Sequence, residues 1–129
     1  MRAKKMKYLQ IFLAMGVGIA IGSVMQIAGA DQPKPAYLVV SAQLKSSEGL
    51  ELYLEKARPL ARASGMEILA RGNVELFEGE WHHHPSLTIE RFNSMEDLKA
   101  FWHSDAYQEV KKLREGLLDV AFIIALEGQ

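Results

Sequence analysis

Three consecutive histidines, His82, His83 and His84, form the densest group of chemically able side chains in the sequence. On an extended segment alternate side chains share a face, which would turn His82 and His84 together and His83 away. Two imidazoles can begin a metal site, but tetrahedral zinc takes three or four protein ligands. The chain has no cysteine, so only His103 or a carboxylate such as Glu80 is left to complete the set. A polar turn leading into a strand at Pro85 is the simpler reading, and no metal site is assigned.

Tyr53, Arg71, Glu90, Trp102, His103, Tyr107 and Arg114 offer a different chemistry. Aromatic walls with a few polar tips are the material of small-molecule pockets. In such a pocket His103 and Tyr107 are the candidates for proton transfer, while Tyr53, Arg71, Glu90, Trp102 and Arg114 shape the substrate site. The competing reading packs Trp102 and Tyr107 between a helix and the sheet and pairs Glu90 with Arg71 and Arg114 as ions. That reading is the more economical, because aromatic residues at helical spacing are more often core. There is no Gly-rich phosphate loop, G-x-S-x-G elbow, cysteine nucleophile or dinucleotide fingerprint, so no cofactor is expected.

These residues must be positioned by a small domain, for the chain has 129 residues and the first thirty read as an address. Arg2, Lys4, Lys5 and Lys7 precede an uncharged stretch from Tyr8 to Ala30. Ile11 to Ala30 is long enough to span a bilayer, whereas Ala28-Gly29-Ala30 is an A-x-A-like cleavage site. Cleavage after Ala30 is the expectation, with an uncleaved N-terminal anchor as the alternative. Either way the basic end stays cytoplasmic and the domain is exported, to a periplasmic or other extracytoplasmic location. Of 15 Lys and Arg, the segment holds four, leaving 11 against 16 Asp and Glu in residues 31–129. Nucleic acid is therefore not an expected partner, since gripping phosphates needs a basic surplus.

The spacer Asp31 to Pro35 cannot continue a helix. The domain is expected from Ala36 to Gln129. Tyr37 to Leu44 alternates as a half-buried strand. Ser46 or Ser47 should cap a helix that carries Leu50, Tyr53, Leu54, Ala57, Leu60 and Ala61 at helical spacing and ends at Gly65 in a left-handed cap. Met66 to Arg71 is a short strand followed by a Gly72-Asn73 turn. In the strand Ser86 to Phe92, Leu87 and Ile89 face one way and Thr88 and Glu90 the other. Ser94 caps a second helical region, which Ser104 can restart and which continues to about Leu118.

The last strand, Val120 to Leu126, has Val120, Phe122, Ile124 and Leu126 on one face and Ala121, Ile123 and Ala125 on the other. A strand apolar on both faces needs cover on both. The order β-α-β-β-α-β is the ferredoxin-like α+β arrangement, with both helices on one side of the sheet. A second copy of the chain is the simplest cover for the other side, which gives a homodimeric α+β barrel.

An ordered series of short motifs points the same way. Tyr37-Leu38-Val39-Val40, Tyr53, Pro59, Leu69-Ala70-Arg71-Gly72, Glu78-Gly79-Glu80-Trp81, Glu90-Arg91-Phe92, Ser94, Trp102 to Gln108, Arg114 and Glu127-Gly128 together resemble the domain-of-unknown-function family 1330. The resemblance spans about Tyr37 to Gly128 and includes most of the candidate pocket residues. Asn73 stands where that family usually has glycine, and Asp105 where it commonly has proline; the histidine triplet lies outside the pattern. The resemblance implies the dimeric α+β barrel fold. Relatives in that wider superfamily include cofactor-free monooxygenases, lactone isomerases, haem-dependent enzymes and proteins with no known activity, so fold alone does not choose among them. The expected function is binding of a small organic molecule, with cofactor-free oxygenase or isomerase-like chemistry. The alternative is a non-catalytic, membrane-tethered structural or interaction domain.

Overall fold

The computed structural model describes residues 31–129. The expected signal or anchor segment lies outside the described residues. Four strands, β1 (Ala36–Leu44), β2 (Glu67–Asn73), β3 (Ser86–Phe92) and β4 (Leu118–Glu127), form one antiparallel sheet in the order β2-β3-β1-β4. Helix α1 (Leu50–Ala63) links β1 to β2, while α2 (Met95–His103) and α3 (Asp105–Lys112) link β3 to β4. This is the ferredoxin-like α+β fold. No helix among the described residues is long and apolar enough to cross a membrane.

Strand alternation decides which side chains meet the helices. Ala36, Leu38 and Val40 of β1, Phe92 of β3 and Ile123 of β4 join Ala61 of α1, Leu98 and Phe101 of α2 and Tyr107 of α3 in one core. Phe92 is the largest fully buried side chain among the described residues and packs against Phe101, tilted by 38° with 5.6 Å between ring centroids. Among the described residues, no helix covers the opposite face. There Val39 lies between Ile89 and Ile124, and Tyr37 between Arg91 and Leu126. Ile124 and Leu126 remain 48% and 53% exposed.

Several local expectations are corrected. The first helix is capped by Gly49, which has no side chain to accept a hydrogen bond; the Oγ of Ser46 instead accepts from the Glu48 N–H in a tight turn. The Gly72-Asn73 pair is not a turn, because β2 continues through it opposite Leu87 and Ser86 of β3. In β4 the register moves from Phe122 opposite Ser41 to Val120 opposite Ala42, leaving Ala121 unpaired in a bulge. An extra residue reverses the alternation, so Val120 does not share a face with Phe122. Gly65 does end α1 in the left-handed region, at φ 75°.

Candidate functional site

The break between α2 and α3 is built by one serine. Ser104 is extended, at φ −61° and ψ 140°, and its hydroxyl works on both helices. It donates to the Phe101 carbonyl at 2.8 Å and accepts from the Tyr107 N–H at 3.2 Å, capping α3. Asp105 in the first turn of α3 complements the helix dipole. Gln108 reaches back to donate to the Trp102 carbonyl. The Trp102 to Gln108 motif is thus a corner that fixes two aromatic side chains against each other.

Tyr107 is buried there, 4.3 Å from the Phe101 ring and 5.5 Å from the Trp102 ring between centroids. Burial, followed by the neighbouring Tyr53 hydroxyl, drives its pKa well above the ordinary tyrosine range, so the phenol stays protonated at any physiological pH. Lys111 and Arg114 both stand over the Trp102 ring, at 5.1 and 5.7 Å from its centroid.

Glu90 completes the group from the sheet. It projects to the helix side of β3, as do Thr88 of the same strand and, opposite Thr88, Arg71 of β2. Arg71 donates to the Thr88 hydroxyl at 3.3 Å. Burial raises the pKa of Glu90 above its ordinary value, and the charges of Arg71 and Arg114 pull against that rise. Among the described residues Glu90 makes no ion pair within 4.0 Å, so the three-residue ion pairing read from sequence is corrected to charges that face one site without touching. Tyr53, Arg71, Glu90, Trp102, Tyr107 and Arg114 therefore assemble, and Thr88 joins them. Its position two residues before Glu90 was the signal for it.

His103 does not join. As the last residue of α2 it is exposed and lines a separate cleft of about 250 Å³ between that helix and β1 and β4. The histidine triplet also scatters, because its segment is irregular and each ring finds its own partner. His82 pairs with Glu80 at 2.9 Å in solvent, His84 with Asp119 of β4 at 3.4 Å, and His83 meets Trp81 and Phe122 edge to face. Thus His82 and His84 do not converge, and no group of three metal-binding side chains occurs among the described residues.

A family model described as "Domain of unknown function (DUF1330)" matches residues 35–128. No curated protein matches the chain. Among solved structures, the chain is similar to RPA0582 of Rhodopseudomonas palustris, a protein of unknown function, with a TM-score of 0.59 at 17% identity over 84% of this chain and 92% of that one. It is also similar to SnoaB, a cofactor-independent oxygenase from Streptomyces nogalater, with a TM-score of 0.50 at 4% identity over 74% of this chain and 94% of that one.

Proposed function

The chain belongs to the DUF1330 family, and we propose that it binds a small organic acid on the helix side of its sheet and moves a proton of that ligand without a cofactor. The observation that carries this reading is Glu90, a half-buried carboxylate of raised pKa facing two arginines it does not contact. A carboxylate whose pKa is raised is a stronger base than one in water. Arg71 and Arg114 offer fixed positive charge to an anionic oxygen, such as an enolate formed when a proton leaves carbon. Tyr107, held protonated, donates a hydrogen bond rather than accepting the proton, and Trp102 forms a flat wall. Proton abstraction next to a carbonyl is the first step of isomerising an enolisable acid and of cofactor-free oxygenation alike. SnoaB supports the reading as a protein of this fold that oxygenates without a cofactor.

The test uses the full-length chain with a panel of small keto acids and phenolic acids. Melting-temperature shifts identify binders, and exchange of the acidic C–H with deuterium is followed by NMR. Glu90→Gln should retain the melting shift and slow exchange by about 100-fold or more. A panel with no binder, or exchange unaffected by the substitution, overturns the reading.

The basic, then uncharged, N-terminus supports action outside the cytoplasm. Intact mass of the protein from fractionated cells decides this, as a full-length species in the cytosol contradicts export. The sheet face that no described helix covers, with Ile124 and Leu126 exposed, supports a homodimer joined through that face. The same face also favours the second reading, a non-catalytic association domain, which predicts self-assembly with no ligand in the panel.

A further inference from the structure

The cleft that holds His103 is separate from the Glu90 group and has a composition of its own. Leu38 and Leu98, both buried, form its floor with Ile123 and Ala125, and Met95 and Trp102 wall it. Lys99 and His103, one turn apart on α2, stand at its rim, and no acidic residue lines it. Trp102 divides the two regions, because its ring lines the cleft while also stacking against Tyr107 under Lys111 and Arg114.

From this arrangement we propose that the cleft is a binding site for a small apolar carboxylate. An apolar floor excludes water from a hydrocarbon body. The Lys99 ammonium and an imidazole N–H of His103 supply charge-assisted hydrogen bonds to one anionic head at the rim. A volume of about 250 Å³ lies below the usual range for drug-sized ligands, which selects a short chain or a single ring. Charge complementarity distinguishes this occupant from a purely apolar one, because only an anionic head uses the Lys99 ammonium and the His103 N–H at the rim.

Trp81 and Trp102 are the two tryptophans, so the full-length Trp81→Phe protein reports on the cleft through Trp102 fluorescence alone. Titration with octanoate should give a saturable blue shift, and octanol should bind on the order of tenfold more weakly. The exposed pair Lys99→Gln with His103→Gln should remove that preference. Ala125→Phe, at an exposed position of β4, should fill the cleft and abolish the shift. Glu90→Gln should leave the titration unchanged, which keeps this result independent of the function proposed above. Equal binding of octanol and octanoate, an unaltered shift in Ala125→Phe, or a Trp102 shift on dilution without ligand, which would assign the cleft to a second copy, overturns the proposal.

Discussion

The two faces of the sheet are built from similar residues and end in different states. On the helix side Ala36, Leu38 and Phe92 are buried beneath α1, α2 and α3. On the other side Val39, Ile89, Ile124 and Leu126 form an equally apolar stripe that no layer covers among the described residues. The closed face also accepts polar chemistry, since Arg71, Thr88 and Glu90 sit on it, whereas the open face has one cross-strand ion pair, Arg91 with Glu67 at 3.8 Å. The contrast teaches that the hydrophobic effect alone does not explain this sequence. Polar groups are placed where a ligand could meet them, and apolar groups where only association could hide them.

The strongest way to break the closed face is Phe92→Ala, which empties a fully buried site beside Phe101. The expected loss is about 3–5 kcal/mol, read by denaturant unfolding. On the open face, Ile124→Lys should leave monomer folding intact and weaken the proposed dimer by about 2 kcal/mol, measured by analytical ultracentrifugation. If sedimentation is unchanged, the open face is not the contact. Ser104→Ala sharpens the comparison within the closed face by removing the shared cap of α2 and α3, at a cost of about 1 kcal/mol in thermal or denaturant unfolding.

The smallest effect concerns Glu90. Its folded pKa lies above the ordinary 4.5, so between that value and its folded pKa the folded chain holds more protons than the unfolded one. Its contribution to stability is present below pH 4.5 and falls as pH rises through the folded pKa. Glu90→Gln should therefore be more stable than the parent at neutral pH and converge with it in acid, as measured by unfolding across that range. The opposite sign would mean that Arg71 and Arg114 outweigh burial.

Much of this was legible in advance, for identifiable reasons. The alternation of β1 and β3 and the capping serines Ser94 and Ser104 are local signals, and they located the core strands and the Trp102 to Gln108 corner. Thr88 and Glu90 were read onto one face, and both lie on the helix side of β3, with Arg71 opposite Thr88. Illegible were the features that depend on a neighbouring strand or on the third dimension. The bulge at Ala121 exists only in register with β1, and β2 likewise skips Leu69 between Ile68 and Ala70 against β3. His103 shares a motif with Tyr107, but the bend at Ser104 sends the two to different sides of Trp102. The histidine run lies on irregular backbone that leads into β3, so the two-residue period of a strand does not apply to it.

The skipped pairing at Ala121 carries a further consequence. β4 is an edge strand, and a straight apolar edge invites other chains to add indefinitely, strand upon strand, into a filament. A kink part-way along that rim spoils the template for such growth. The proposed homodimer, joined through flat surfaces in a closed pairing, would not have to compete with such growth.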